Sequence, residues 1–160
     1  MTRAVFDCMV FVQSAGRDTG PAAACFRLVD AGIAELWVSP RVLAEVAEVL
    51  SRPRVLRQFR KLTPEKIAQF LADIAAKAKL LDAVPQAFSF PRDPKDEAYI
   101  NLAIAVDASY LVSRDKDLLD LMRDDLPEGK VFRQQFPKLT ILDPVAFLQA
   151  VRTEAQGNAP

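Results

Sequence analysis

The sequence lacks histidine altogether and contains only two cysteines, five glycines and one tryptophan among its 160 residues. Without histidine there is no imidazole to serve as a general base or as a metal ligand. Any catalytic metal site in this chain must therefore have mainly oxygen ligands. The two cysteines, Cys8 and Cys25, are expected to be reduced thiols rather than a disulfide, because no secretion signal precedes them.

Neither sign of charge is in excess, because 21 basic and 21 acidic residues cancel. We expect no overall electrostatic attraction to nucleic acids or anionic membranes, so any such binding must come from a local patch. The longest early apolar run reaches only Val12 and is interrupted by Asp7. That run is too short for a signal peptide or a membrane span, which predicts a cytoplasmic protein without membrane association.

Apolar residues make up 51% of the chain, enough to bury one substantial core. We expect a single domain over residues 1–152. Residues 153–160 are small and polar and end in proline, which is typical of a disordered tail.

Strand-like and helix-like patterns alternate along the chain. Strands are predicted at residues 2–6, 35–38, 80–84, 110–113 and 138–142, and helices at 21–30, 40–50, 64–79, 94–106, from 116, and at 144–151. This alternation predicts an α/β protein, a three-layer α/β/α sandwich with a central parallel sheet of about five strands.

Four acidic residues are predicted to meet at one edge of this sheet. Asp7 and Asp115 directly follow strands, whereas Glu45 and Asp96 lie near the starts of helices. Right-handed crossovers bring such positions to the carboxyl edge of a parallel sheet, where ligands bind. A carboxylate cluster favours Mg²⁺ or Mn²⁺ over zinc. Mutual repulsion should raise the pKa of at least one of these acids.

Three of these acids, Glu45, Asp96 and Asp115, also have an ordinary structural explanation. Glu45 lies at the border of an apolar helix face, where it would form a salt bridge at the rim. Asp93 before Pro94 is a typical N-cap, so that Asp96 would be an acid in the first turn of an ordinary helix. Asp115 would similarly close a turn. The shared sheet edge favours a functional site, since independent caps need not converge.

The ordered set of motifs resembles the PIN-domain nucleases, and more closely the PIN-family toxin components of bacterial toxin-antitoxin systems. The similarity covers nearly the whole chain, through residues 5–7, 39–46, 50–53, 92–97, 108–119 and 141–148. The resemblance implies a PIN-like fold and a metal-dependent endoribonuclease that uses Mg²⁺ or Mn²⁺ and is held in check by a small antitoxin protein. It assigns catalysis and metal binding to Asp7, Glu45, Asp96 and Asp115, with Asp117 as an auxiliary metal-binding acid and Ser113 as a hydroxyl partner that contacts substrate.

One position departs from the family pattern. Met9 stands where the family has an asparagine, two residues after the first acid. The acids are retained, so metal binding should survive while substrate positioning suffers. The alternative function is therefore a catalytically weakened PIN domain that acts as an RNA-binding or protein-interaction module.

Two surface segments are candidates for binding. Residues 52–61 contain Arg52, Arg54 and Arg57 with Phe59 between basic residues, which is typical of a surface that binds phosphates and stacks bases. The alternative is a solvated helix face. Residues 131–136 suit either a partner contact or the core. A homodimer is expected from the zero net charge and the phenylalanines of the carboxyl-terminal region, namely Phe132, Phe136 and Phe147.

Overall fold

The computed structural model describes residues 2–157 and has a central sheet of five parallel strands in the order β3-β2-β1-β4-β5. The strands are β1 (Thr2–Phe6), β2 (Ala34–Val38), β3 (Lys79–Leu80), β4 (Tyr110–Val112) and β5 (Thr140–Leu142). Ala4 in the central strand is in register with Leu36 on one side and Tyr110 on the other. The predicted α/β class and parallel sheet are confirmed.

Helices connect the strands and cover the sheet. They are α1 (Cys8–Gly16), α2 (Pro21–Asp30), α3 (Pro40–Leu50), α4 (Pro53–Gln58), α5 (Pro64–Lys77), α6 (Glu97–Ala105), α7 (Lys116–Leu119), α8 (Pro127–Gln135) and α9 (Pro144–Gly157), with 3-10 turns at Pro94–Asp96 and Asp120–Met122. Proline stands in the first turn of α2, α3, α4, α5 and α8, where its missing N–H costs nothing. Ser39 and Thr63 cap α3 and α5 through their side-chain oxygens, each at 3.2 Å from a backbone nitrogen.

The core lies on both faces of β1, whose residues Ala4, Val5 and Phe6 are completely buried. The Phe6 ring packs against Phe26 of α2 and Phe147 of α9, with ring centroids 5.2 and 5.8 Å apart. Successive strand residues point to opposite faces, and α6 also packs against β1, β2 and β4. The three-layer sandwich expected from the sequence follows from this arrangement.

The structure differs from the sequence-based prediction at several elements. Helices α1, α4 and α8 were not predicted, β3 ends at Leu80, and α6 begins only after a 3-10 turn. Helix α9 continues to Gly157, so the segment expected to be a tail from residue 153 begins inside a helix. Glu154 in this helix accepts hydrogen bonds from Thr2 at 2.9 Å and Tyr110 at 2.5 Å. Residues 158–160 of the predicted tail lie outside the described residues.

The aromatic residues near the carboxyl terminus are mostly core. Phe132 and Phe147 are completely buried, and Phe132 packs edge-on against Phe88 with ring centroids 5.1 Å apart. These rings are therefore not available to a partner, which removes the main sequence argument for a homodimer. Within residues 2–157, no helix is long and apolar enough to cross a membrane.

Candidate active site

The ends of β1 and β4 form the centre of a cavity of about 570 Å³. Phe6 pairs with Val112, so the residues that follow these strands are neighbours at the carboxyl edge of the sheet. The acids that line the cavity are Asp7, Glu45, Asp93, Asp96 and Asp115. All four acids that were expected to converge thus face one cavity, together with a fifth that had been predicted only as a helix cap.

Asp7 is both a helix cap and a wall of the cavity. It is only 6% exposed, and its Oδ1 accepts a hydrogen bond from the Val10 backbone N–H at 3.1 Å. Its Oδ2 accepts a hydrogen bond from the Ser113 hydroxyl. Burial raises the pKa of Asp7 to about 6, although both hydrogen bonds act in the opposite direction. The Asp7 carboxyl group is therefore more basic than an ordinary aspartate.

Ser113 links the first acid to the last. Its side chain is completely buried; the hydroxyl donates to Asp7 and accepts from the Asp115 backbone N–H at 2.9 Å. The predicted role of Ser113 in binding substrate does not suit this position, because the side chain lies beneath the acids and does not line the cavity. Ser113 instead fixes the position of Asp7 relative to Asp115.

Three of the acids are close enough to share a cation. One carboxylate oxygen from each of Asp93, Asp96 and Asp115 lies within 4.8 Å of the other two. Asp93 also acts as the predicted cap, since its Oδ1 accepts from the Lys95 backbone N–H at 3.3 Å. An aspartate before a proline is an ordinary start of a helix. The sequence therefore predicted Asp93 only as a cap and gave no sign of its place among the cavity acids.

Asp96 has a buried carboxylate oxygen, Oδ2, that no described residue satisfies with a hydrogen bond. Burial, followed by the charge of Asp115, raises the pKa of Asp96 to about 8. A raised pKa for at least one of these acids was expected from their mutual repulsion; burial contributes more to it, and repulsion by Asp115 comes second. A buried carboxylate oxygen without a partner is costly, and three clustered carboxylates are the donor set that Mg²⁺ and Mn²⁺ prefer.

Glu45 completes the acidic lining but lies outside the group of three. It is half-buried on α3 and forms no ion pair with any residue between positions 2 and 157. The neighbouring Glu48 instead pairs with Arg52 at 2.6 Å. The salt bridge at the rim considered for Glu45 is therefore not formed in the structure.

Asp117 is kept away from the acidic group. It does not line the cavity, and its Oδ1 lies 2.7 Å from Nε of Arg92. The structure thus places this predicted auxiliary metal ligand in an ion pair next to the site, where Arg92 compensates its charge.

The predicted substrate surface is only partly at the cavity. Arg52 lines it, whereas Arg54 and Arg57 do not. Phe59 is only 4% exposed and packs so closely against Gly16 that a Cβ there would collide with its ring, so it cannot stack bases. Two other cations line the cavity, Lys95 and Arg114. Sequence reasoning missed them, although each stands directly beside a cavity acid.

Met9 and Cys8 form an apolar part of the lining. Met9 is 44% exposed, in contrast to the buried Cys8. Burial, and then the charge of Glu45, raises the pKa of the Cys8 thiol to about 12. Cys8 therefore remains a neutral thiol and is unsuited to be a nucleophile.

A parallel sheet with an acidic cavity at its carboxyl edge is one arrangement in which carboxylates can hold a divalent metal ion. The family model described as PIN domain matches residues 3–117, more than half of the chain. The chain therefore belongs to the PIN domain family, whose members are in general nucleases that use divalent metal ions. The match contains every acid of the cavity. No curated protein sequence matches the chain.

Proposed function

We propose that this protein is an endoribonuclease that hydrolyses RNA phosphodiester bonds with Mg²⁺ or Mn²⁺. The observation that carries the proposal is the group of Asp93, Asp96 and Asp115, whose carboxylate oxygens lie within 4.8 Å of one another. The unpartnered, buried Oδ2 of Asp96 is the second support. RNA as the substrate rests on the resemblance to the PIN-family toxins.

The acids have distinct parts in this proposal. Asp93, Asp96 and Asp115 would hold the divalent ion, and Asp7 and Glu45 would complete its acidic surroundings. When bound, such an ion supplies a hydroxide at neutral pH and stabilises charge on phosphorus. Asp7 has a pKa of about 6, and a carboxylate that accepts two hydrogen bonds keeps acceptor capacity. Asp7 can therefore take up a proton at the cavity wall more readily than an ordinary aspartate.

Cations beside the acids would bind the substrate. Arg52, Lys95 and Arg114 line the same cavity and offer contacts to the phosphates on either side of the scissile bond. Because the chain has no net charge, attraction for RNA would come from individual contacts between these cations and phosphates. Arg54 and Arg57 would contribute only at longer range.

We also propose that the enzyme is the toxin of a toxin-antitoxin pair and acts on cytoplasmic RNA. This assignment rests on the similarity of residues 92–97 and 108–119 to the PIN-family toxins. A small antitoxin protein would inhibit the enzyme by placing a basic side chain among the cavity acids. For a homodimer, the remaining support is exposed apolar surface such as Val131 and Val145, which are 50% and 48% exposed.

The nuclease proposal is tested with single-stranded RNA and a DNA of the same sequence. We expect the purified protein to cut the RNA with Mn²⁺ or Mg²⁺ and to be inactive in EDTA. Asp96→Asn and Asp115→Asn should each lower the rate at least roughly 100-fold, since even the loss of an outer partner of a metal ligand costs 10- to 100-fold. Asp125→Asn, an exposed and ion-paired control, should leave the rate unchanged. Cleavage in EDTA would contradict the proposal.

A second candidate is a weakened PIN domain that binds RNA or a protein without turnover. It is favoured by Met9, an exposed apolar residue within the acidic cavity. Met9→Asn supplies an amide that can hydrogen-bond an acid or the substrate, and we expect it to increase the cleavage rate. Tight RNA binding by wild type, with no cleavage by wild type or by Met9→Asn, would favour the second candidate.

A further inference from the structure

Arg92 joins two segments that each carry a cavity acid. Its Nε lies 2.7 Å from Asp117 Oδ1, and its NH2 donates to Asp120 Oδ2 at 2.8 Å. Asp120 is only 6% exposed, so this contact is held within the protein. A guanidinium group fixed by two carboxylates has little freedom, because its donors form a planar fork.

The ion pair is adjacent to the acidic group on both sides. Asp93 is the residue after Arg92, and the Asp117 backbone N–H donates to Asp115 Oδ1 at 2.8 Å. The Arg92–Asp117 ion pair therefore connects the segment of Asp93, which follows Arg92, with the segment of Asp115, which is hydrogen-bonded to Asp117.

The segment that carries Asp93 is held by side-chain contacts, including Phe88 against Phe132 and the buried Phe90. Residues 81–93, all of them described, contain no helix or strand. Asn101 holds the middle of this segment through hydrogen bonds of 2.8 to 3.1 Å with Ala87 and Phe88. Near its end, the Asp93 backbone N–H donates to Phe90 at 3.2 Å, within the same segment. Arg92 thus provides the link from Asp93 to the α7 side of the cavity.

We propose that Arg92 is a positioning residue that fixes Asp93 beside Asp115, and that Asp117 serves this ion pair instead of binding the metal. The inference rests on the proposed metal site. It assigns different roles to two aspartates separated by one residue. Asp115 binds the cation, and Asp117 holds Arg92 in place beside the site. Outer partners of metal ligands commonly change metal affinity roughly 10- to 100-fold when removed.

The test measures Mn²⁺ affinity by calorimetry, without substrate. The double variant Arg92→Gln with Asp117→Asn removes the ion pair and leaves the net charge unchanged. We expect it to weaken Mn²⁺ binding roughly 10-fold or more. The matched control is Arg123→Gln with Asp125→Asn, a nearby exposed pair that contacts no cavity acid and should change the affinity less than about twofold. Melting in EDTA reports any difference in stability between the two double variants.

Three results would overturn the inference. Equal Mn²⁺ affinity of both double variants and wild type would show that the ion pair does not position the site. Tighter binding by Arg92→Gln alone would mean that the released Asp117 is itself a ligand, whereas the positioning role predicts weaker binding. Absence of Mn²⁺ binding by wild type would overturn the proposed metal site, and the positioning role with it.

Discussion

Two groups of acids lie side by side in this protein: the acids of the cavity, and the neighbouring pair Asp117 and Asp120. They differ in whether ion pairs neutralise their charge. Asp7 and Asp120 are each 6% exposed, but Asp7 lies deeper in the protein than Asp120. The pKa of Asp120 is lowered, first by its hydrogen bond to Arg92, whereas burial raises the pKa of Asp7 to about 6. Asp120 forms ion pairs with Arg92 and Arg123, so its charge is neutralised within the protein. Basic residues line the cavity too, but among residues 2–157 none forms an ion pair with a cavity acid. This absence of ion pairs distinguishes the cavity acids from their neighbours.

The largest expected effect is the response to Mn²⁺. A ligand that binds only the folded state stabilises it by about 2.7 kcal/mol at a hundredfold excess over its dissociation constant. For a domain of this size, that corresponds to a rise in Tm of roughly 5–10 °C. We expect wild type to show this rise and Asp96→Asn to lose most of it. Thermal melts with Mn²⁺ and with EDTA measure it, with the ion-paired Asp125→Asn as the control.

An equal rise in Tm with Mn²⁺ for wild type and Asp96→Asn would show that the cavity acids do not bind the ion through Asp96. Asp96 would then be an ordinary residue of the first helical turn, and the acidic cavity would need another explanation. The control Asp125→Asn should show the same rise in Tm with Mn²⁺ as wild type, because loss of an exposed ion pair has little effect on stability.

The second prediction concerns the pH dependence of the metal-free protein. The pKa of Asp96 is raised from 3.8 to about 8, so the folded chain binds more protons than the unfolded chain between these values. The stability this contributes is complete below the unfolded pKa and is lost as the pH rises through about 8. In EDTA, Tm should therefore rise as the pH is lowered from about 9 to about 5.

Asp96→Asn sharpens this second prediction. The amide carries no charge in either the folded or the unfolded chain, so the variant should melt above wild type near pH 9 and by a smaller margin near pH 6, and the two should converge only as the pH approaches the unfolded pKa of 3.8. Asp120→Asn should behave differently and melt below wild type at both pH values, because it leaves Arg92 without one of its partners. Parallel curves for Asp96→Asn and wild type would contradict the raised pKa.

The sheet and the acids that follow its strands were predictable because their signals are local. A strand that ends at Asp7, a serine and a proline at the start of α3, and an apolar period along each helix are visible without the tertiary structure. Helix α1 was missed for the converse reason. Val10, Phe11 and Val12 are all buried, and a helix segment buried on all sides has no apolar period to recognise.

The roles of individual charges were harder to predict because they depend on distant contacts. Asp117 was expected to bind metal, but Arg92, 25 positions earlier in the sequence, is its partner. Phe59 was expected at the surface, but the approach of Gly16 buries its ring. Spacing along the chain brings the right residue types to the sheet edge, and tertiary packing then decides which of them face the cavity.

The smallest predicted effect is on RNA binding and compares ion-paired with unpaired basic residues. Arg92 and Arg123 are held by acids, whereas Lys95 and Arg114 line the cavity and form no ion pair with residues 2–157. Lys95→Gln and Arg114→Gln should each weaken RNA binding and lower the slope of log K against log salt concentration by about 0.7, the value for one phosphate contact on a single strand.

The measurement uses an Asp115→Asn background, so that the RNA remains intact during the titration. Arg54→Gln and Arg57→Gln are the matched controls, because they remove the same charge from exposed positions on α4 that do not line the cavity. Their salt slopes should change by less than half as much. Equal slopes for all four variants would mean that RNA senses only the general charge of this side of the protein. A larger effect at Arg54 and Arg57 would instead support the basic segment first suggested by the sequence, and would move the substrate from the cavity to α4.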